Sequence, residues 1–248
     1  MSLTVTVLGS SAMFPTVERA ASGLLVEVDG APLWLDAGSG TWRNLLRATD
    51  HARLAGVLLT HRHPDHTTDV FVCFHARRYG STPPLEPIPL WAPAETLERL
   101  SGFSPEIGEA FELAPVAAGD ELVFNGARLT FFAAVHPPET IAVRVEHRGA
   151  VLAYSSDTGP ALDAHALAGD ADLFICEATY QGGDGHWEGH LSAAQAGELA
   201  HAAGARRLLL THLPAGRDLE LSRQEAMDAA PGIDVMLAAD LDVYVVGA

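Results

Sequence analysis

The chain has 248 residues, of which 48% are hydrophobic and 19% are charged. This composition is typical of a globular protein, and no apolar run approaches the roughly 20 residues that a membrane-spanning helix needs. The 15 basic residues, all of them arginine, are outnumbered by 32 acidic residues, and the formal net charge of −17 argues against broad attraction to nucleic acids or anionic membranes. The sequence shows no signal-peptide pattern, so we expect a cytoplasmic protein.

Hydrophobic periodicity predicts strands that alternate with helices along the whole chain. In chain order, the predicted strands are Thr4–Leu8, Leu24–Val28, Leu33–Leu35, Val57–Thr60, Leu90–Trp91, Leu122–Phe124, Leu129–Ala134, Ile141–Glu146, Val151–Tyr154, Leu173–Cys176, Leu208–Thr211, Val235–Leu237 and Val243–Val246. The predicted helices are Thr41–Ala48, Asp69–Tyr79, Ala94–Arg99, Ala161–Leu167, Ala193–Ala203 and Arg223–Ala229. This order predicts an α/β fold with two sheets and outer helices, built as a single domain over residues 1–248.

Local signals refine this prediction at two helices and two strands. Ser192 and Ser222 are expected to cap the last two helices, because a Gln or Glu follows each of them three residues later. The segments Val57–His61 and Leu208–His212 each predict a buried strand that ends in Thr-His. Two such strands at related positions would bring one histidine each to a common edge.

The richest cluster of metal-binding residue types is His-Arg-His-Pro-Asp-His at residues 61–66, directly after a predicted strand. Alternate residues of an extended chain point the same way, so His61, His63 and Asp65 are expected to converge while His66 points to another side. The intervening proline keeps His63 out of the helical region. Three imidazoles and a carboxylate suit a borderline divalent metal such as zinc.

The motif His-x-His-x-Asp-His resembles that of the metallo-β-lactamase fold hydrolases. Further motifs of this family have counterparts in the same order, so the resemblance extends over residues 3–246. These counterparts are the early turn Asp36–Gly40, the third histidine motif Ala134–His136, the bridging-aspartate motif Tyr154–Thr158 and the last histidine motif Leu210–Pro214. The resemblance implies a four-layer αββα sandwich with a dinuclear metal site at one edge of the two sheets.

The resemblance also implies which residues hold the two metal ions. One ion would be bound by His61, His63 and His136, the other by Asp65, His66 and His212, and Asp157 would bridge them. Asp36 and Thr60 are expected to orient ligand imidazoles. Zinc is the favoured metal and manganese an alternative, since imidazole and carboxylate groups hold both. A hydroxide that bridges the ions is the expected nucleophile.

A second resemblance concerns the general acid. The segments Glu177–Tyr180 and His190–Ala196 resemble the ribonuclease Z branch of the family, in which a similar histidine lies beside the metals. His190 is therefore the candidate proton donor to the leaving group. Asp65 and Glu177 complete the set of candidate catalytic residues. The helix that follows is expected to offer backbone donors to a phosphate.

Two features favour small phosphodiesters, such as cyclic nucleotides, over transfer RNA. Ribonuclease Z enzymes commonly insert a transfer-RNA-binding arm between the motifs represented here by His136 and Asp157, and only 21 positions separate those residues in this chain. A net charge of −17 also disfavours the binding of a polyanion. The overall pattern resembles bacterial cyclic-nucleotide phosphodiesterases that lack the arm.

Other activities stay open at this stage. One alternative is a ribonuclease Z-like endonuclease that processes transfer-RNA 3′ ends, and a less favoured one is a lactonase or thioester hydrolase of the same fold. A binding protein without catalysis is disfavoured because every expected ligand position is filled.

Few partners are predicted beyond the substrate. We expect a small phosphodiester as substrate, no membrane, and a homodimer in which the helix Phe71–Tyr79 is a reasonable contact. Trp187 and His186 lie in a Gly-rich segment, and we expect them to pack locally rather than contact a ligand.

Overall fold

The computed structural model describes residues 2–184 and 187–247, so His186 lies outside the described residues. The strands are β1 Leu3–Gly9, β2 Gly23–Val28, β3 Ala31–Leu35, β4 Gly56–Leu58, β5 Ile88–Ala92, β6 Phe111–Pro115, β7 Glu121–Phe124, β8 Ala127–Ala133, β9 Ile141–His147, β10 Ala150–Tyr154, β11 Leu173–Glu177, β12 Arg207–Thr211, β13 Asp234–Leu237 and β14 Val243–Val246. The α-helices are α1 Thr41–Ala48, α2 Pro64–Thr67, α3 Val70–Tyr79, α4 Ala94–Phe103, α5 Ala164–Ala168, α6 Ala193–Ala203 and α7 Leu219–Ala229. Two 3₁₀-helices cover His51–Arg53 and Pro105–Glu109.

The chain divides into two compact units. The first unit contains residues 1–117 and 239–244, and the second contains residues 118–238 and 245–248. A single domain over residues 1–248 stays a prediction.

The first sheet has the strand order β14-β1-β2-β3-β4-β5-β6. Strands β1 to β3 pair antiparallel, whereas β3 to β6 pair parallel. One face of this sheet packs into an apolar core with α1, α3 and α4, and Trp34, Leu45 and Phe74 are among its buried residues. The parallel part places the carboxyl ends of β3 and β4 side by side, since Leu35 is paired with Leu58.

The second sheet has the order β13-β12-β11-β10-β9-β8-β7. Strands β7 to β10 pair antiparallel, and β10 to β13 pair parallel. Its core is rich in alanine and leucine from α5, α6 and the sheet, with Phe174 at 0% exposure. Both sheets are therefore mixed, and the predicted α/β fold with two sheets and helices is confirmed.

Most predicted elements are confirmed with small shifts at their ends, but one predicted cap is wrong. Ser192 caps α6 in a full capping box with Gln195, as expected. Ser222 does not begin α7, because that helix starts at Leu219 and Asp218 accepts hydrogen bonds from its first turn. Ser222 is instead buried within the helix.

The structure also contains four elements that the sequence did not predict, namely β6, the short helix α2 and the two 3₁₀-helices. The helix α2 changes how the metal motif is presented, because the extended chain stops at His63, where φ is −65° and ψ is 145°. Asp65 therefore lies in a helical turn and does not continue the alternation from His61.

Two structural findings concern the predicted partners. Among the described residues, no helix is both long and apolar enough to span a membrane. On the helix expected to contact a second copy, Phe74 is buried whereas the Tyr79 side chain is 61% exposed. The homodimer stays a prediction.

Candidate metal centre

The first unit presents a cluster of four predicted ligands just beyond the end of β4. His61 and His66 are fully buried, and their ring centroids are 4.2 Å apart. The Nε2 atom of His61 lies 3.1 Å from Nδ1 of His63. Asp65 Oδ2 lies 3.9 Å from His66 Nε2. The motif at residues 61–66 thus pairs His61 with His63 and Asp65 with His66. The expected convergence of Asp65 with His61 and His63 is therefore wrong.

Buried Asp36, which directly follows β3, orients two of these histidines. Its Oδ2 atom lies 2.8 Å from Nδ1 of His66 and accepts a 2.9 Å hydrogen bond from the Thr60 hydroxyl. That hydroxyl lies 3.1 Å from Nδ1 of His61 and, since its own proton goes to Asp36, it can accept from this nitrogen. Both imidazoles are thereby held at Nδ1, which leaves Nε2 as the atom available to a metal.

Both the side chain and the backbone of Asp65 are held by neighbouring residues. Asp65 Oδ2 accepts a 2.9 Å hydrogen bond from the Met13 amide. A Cβ atom at Gly38 would lie 2.0 Å from the Asp65 carbonyl oxygen, so only glycine fits there. The Ala37 amide donates to the carbonyl of His66 at 2.7 Å. The turn after β3 therefore fixes the position of α2.

The second unit gathers its polar residues at the carboxyl ends of three adjacent parallel strands. Asp157 follows β10, Glu177 ends β11 and His212 follows β12. His212 has a φ of 54°, in a left-handed region that non-glycine residues seldom adopt. Because the three strands are parallel neighbours, their carboxyl ends bring these side chains to the same edge of the sheet. Open α/β sheets commonly bind ligands at this edge.

Asp157 lies between two of the predicted histidine ligands. Its Oδ1 is 3.5 Å from Nε2 of His212, and its Oδ2 is 3.9 Å from Nε2 of His136. The Asp157 and His212 side chains are at most 3% exposed. One carboxylate oxygen of Asp157 therefore lies near each histidine, as expected of a carboxylate that bridges two metal ions.

His136 is also held through its Nδ1 atom. That nitrogen donates a 2.8 Å hydrogen bond to the Gly189 carbonyl, so Nε2 is the unprotonated atom in the neutral ring. Burial lowers the pKa of His136, and the nearby Asp157 carboxylate only partly opposes this shift. A neutral imidazole is the form that binds a metal.

Glu177 orients histidine side chains in the second unit, as Asp36 does in the first. Its Oε1 atom lies 2.7 Å from Nδ1 of His190. Its Oε2 accepts a 2.7 Å hydrogen bond from the Thr179 hydroxyl, which lies 2.9 Å from Nδ1 of His212. Glu177 also accepts from the Thr158 amide at 2.7 Å. Each buried carboxylate thus orients one histidine directly and another through a threonine.

His190 is close enough to the other polar groups to act on a common ligand. Asp157, His190 and His212 each offer one atom, and these atoms lie within 4.8 Å of one another. The His190 ring stacks on that of His212 with centroids 5.4 Å apart. The geometry therefore permits His190 either as a proton donor or as a ligand.

The N-terminus of α6 is less open to phosphate than its sequence indicates. The Ala193 amide donates to the Tyr180 carbonyl, and the Gln195 amide donates to the Ser192 hydroxyl. The Ser192 amide in turn donates to the Gln195 side chain. These donors already have acceptors within the protein, which weakens the expected phosphate site.

The donor groups of both clusters fit divalent metal ions. Imidazole nitrogens and carboxylate oxygens lie close together in each cluster. The buried carboxylates behind them hold the ring orientations. The orienting roles of Asp36 and Thr60 were predicted from the sequence, whereas those of Thr179 and Gly189 were not. Thr179 follows β11 as Thr60 follows β4, and only the fold shows that the two threonines have equivalent partners.

Clusters of histidine and carboxylate side chains at the strand ends of an α/β protein are typical of metallo-hydrolases. The model of the β-lactamase superfamily domain matches residues 33–213. The chain therefore belongs to the metallo-β-lactamase fold hydrolases, as the resemblance implied.

Similar proteins agree with this assignment. An uncharacterized protein of Mycobacterium tuberculosis is 34% identical and the match covers 86% of this chain and 82% of that protein. The Bacillus subtilis protein named "probable metallo-hydrolase YhfI" is 31% identical, over 85% of this chain and 86% of that protein. The crystal structure of YhfI matches with a TM-score of 0.91 at 26% identity, over 99% of this chain and 100% of that one. A ribonuclease Z of Gemmatimonas aurantiaca is 28% identical over 302 aligned positions, which cover 97% of this chain and 95% of that protein.

Proposed function

We propose that the protein is a metal-dependent phosphodiesterase that hydrolyses small phosphodiesters such as cyclic nucleotides. In this proposal the protein holds two divalent ions, most simply zinc. The ligands are His61, His63 and His136 for one ion, Asp65, His66 and His212 for the other, and Asp157 for both. The family match over residues 33–213 includes all of these ligands and supports the proposal. When bound, such ions supply a nucleophile near neutral pH and stabilise negative charge on a phosphoryl group.

In this proposal the protein's own side chains orient the metal ligands and supply a proton to the leaving group. Asp36 and Glu177 fix the ligand imidazoles, so Glu177 is better described as a positioning residue than as a group that exchanges protons. His190, held at Nδ1 by Glu177, has its Nε2 atom available to donate a proton to the leaving alkoxide. Bond cleavage then releases a neutral alcohol, and His190 regains its proton from water.

The interval between His136 and Asp157 is the observation that carries the choice of substrate. It is filled by the hairpin of β9 and β10, in which His147 is paired with Ala150 across a two-residue turn. Four residues lead into this hairpin and two follow it, which leaves no length for a transfer-RNA-binding arm. The alignment with the Gemmatimonas ribonuclease Z has 302 positions, 54 more than the 248 residues of this chain. That relative therefore contains segments without a counterpart here.

The test is a parallel assay of zinc- or manganese-loaded protein on three substrates. These are 2′,3′-cyclic AMP, 3′,5′-cyclic AMP and a 3′-extended transfer-RNA precursor. We expect turnover of a cyclic nucleotide and none of the precursor. Asp157→Asn should abolish turnover because the variant lacks the bridging carboxylate, whereas Asp163→Asn, at the exposed cap of α5, should retain it.

The alternatives give different results in the same assay. Cleavage of the precursor alone would support the second candidate, a ribonuclease Z-like endonuclease, which the 28% identity to a ribonuclease Z favours. Hydrolysis of lactones or thioesters without any phosphodiester turnover would refute the proposal in favour of the third. Turnover that persists in Asp157→Asn would refute the dinuclear mechanism.

A further inference from the structure

A cavity of about 540 Å³ opens beside His136 in the second unit. Its volume lies within the roughly 300–1,000 Å³ that is usual for small-molecule pockets. The segment at residues 133–141 forms one side, and Trp187, Glu188 and Gly189 form the other. Because His136 is a proposed metal ligand, a molecule in this cavity would lie directly next to the reacting phosphate.

Trp187 offers the cavity an aromatic surface. Its side chain is 47% exposed, although tryptophan is usually well buried. The ring lies edge-on to the imidazoles of His136 and His190, with centroid distances of 5.4 and 5.3 Å. A planar group stacked on Trp187 would therefore be within reach of the proposed proton donor and of a metal ligand.

Two hydrogen bonds anchor the backbone from Trp187 to Gly189. The Gly189 carbonyl accepts from His136, and the Trp187 carbonyl accepts a 3.1 Å hydrogen bond from the His190 amide. A Cβ atom at Gly189 would lie 2.6 Å from the indole ring, so the ring packs directly on this glycine. A preformed stacking surface reduces the entropy that a ligand loses on binding.

The charges around the cavity select against a second phosphate. Two exposed carboxylates, Glu139 and Glu188, line it, and none of the lining residues that the structure describes is an arginine. The remaining walls are mostly apolar, including Val135, Pro138 and Ile141. Such a site suits an uncharged heteroaromatic ring whose N–H groups donate to carboxylates, and it repels the next phosphate of a polynucleotide.

We propose that this cavity binds a single nucleobase, stacked on Trp187 and attached to the phosphodiester under attack. The inference deepens the proposed phosphodiesterase function and rests on it, since it names the part of the substrate that lies outside the metal centre. Trp187, for which the sequence predicted only local packing, is then a specificity-determining residue. The base distinguishes nucleotide substrates from other phosphodiesters.

Equilibrium binding separates this inference from catalysis. Adenosine, which has a base but no phosphate, is titrated into metal-free and metal-loaded protein by calorimetry and by quenching of tryptophan fluorescence. We expect saturable binding that Trp187→Ala weakens about tenfold and Trp187→Phe largely preserves, because each stacked base gains a favourable contact with the ring face. Ribose 5-phosphate should bind Trp187→Ala and the unaltered protein equally. Phe103→Ala, which removes an exposed aromatic ring elsewhere, is the matched control.

A kinetic comparison completes the test. Trp187→Ala should raise the KM for 2′,3′-cyclic AMP about tenfold more than the KM for base-free ribose 2′,3′-cyclic phosphate. Absence of adenosine binding, or equal binding by Trp187→Ala, overturns the inference even if cyclic nucleotides are hydrolysed. Adenosine binding that depends on Trp187, without turnover of any phosphodiester, supports the cavity assignment and refutes the proposed function.

Discussion

At the scale of single residues, two buried carboxylates determine how the histidines are presented. Asp36 and Glu177 each engage one imidazole directly and reach another through a threonine hydroxyl. Hydrogen bonds to charged groups contribute roughly 1.5–3 kcal/mol each, and a carboxylate behind a ligand also makes the imidazole more basic. The same local design therefore serves both units, although no stretch of sequence repeats around the two carboxylates.

This equivalence gives a sharp comparison between His66 and His190. Both are held at Nδ1 by a buried carboxylate, at 2.8 and 2.7 Å, but only His66 is a proposed ligand. We expect His66→Ala to lose bound metal, and His190→Ala to retain its metal content while kcat falls by about 10²–10⁴, the usual contribution of a general acid. Elemental analysis of dialysed protein and initial rates measure the two effects.

Two outcomes would change the assignment. Loss of metal from His190→Ala would make His190 a ligand, which the proximity of Asp157 and His212 permits. An unaltered rate in that variant would exclude it as the proton donor. Circular dichroism of each variant separates these results from misfolding.

At the scale of secondary structure, the order of the strands in each sheet determines which polar residues at the strand ends lie next to each other. The repeated Thr-His after β4 and β12 was visible in the sequence and identified His61 and His212. The hydrogen bonds that link Glu177 to His212 through Thr179 could not be predicted from the sequence, because they depend on the pairing of β11 with β12. The helical turn of α2 also escaped prediction, since a four-residue helix shows no periodicity and its position depends on the close contact of Gly38 with Asp65.

The beginning of α7 can be tested through its cap. Asp218 accepts from the amides of Glu220 and Leu221, whereas Ser222, the residue that sequence analysis favoured, lies inside the helix. We expect Asp218→Ala to cost about 1 kcal/mol and to lower Tm by roughly 2–4 °C. Asp218→Ser should recover most of the loss, because serine is also a good cap. Equal thermal unfolding of the Ala and Ser variants would contradict this role.

At the scale of the whole molecule, the proposed metal ions would complement the strong negative charge of the chain. With a net charge of −17, this protein repels polyanions at a distance, and bound divalent cations would place positive charge only where a phosphodiester reacts. A substrate with one phosphate needs no more than that local attraction. The short β9–β10 hairpin and the acidic rim at Glu139 and Glu188 are consistent with the same selectivity.

Metal removal is expected to destabilise the folded chain, because bound ions stabilise the native state. A ligand present at 100 times its Kd stabilises the native state by about 2.7 kcal/mol, and for a chain of this size each kcal/mol shifts Tm by about 2–4 °C. We therefore expect a chelator to lower the Tm of metal-loaded protein by about 5–10 °C, with the loss reversed by excess zinc. Asp157→Asn should show little of this shift, because it lacks the bridging carboxylate, and Asp163→Asn should show all of it. Unchanged thermal unfolding of the original protein after elemental analysis has verified metal removal would mean that the two clusters hold their geometry through Asp36 and Glu177 alone.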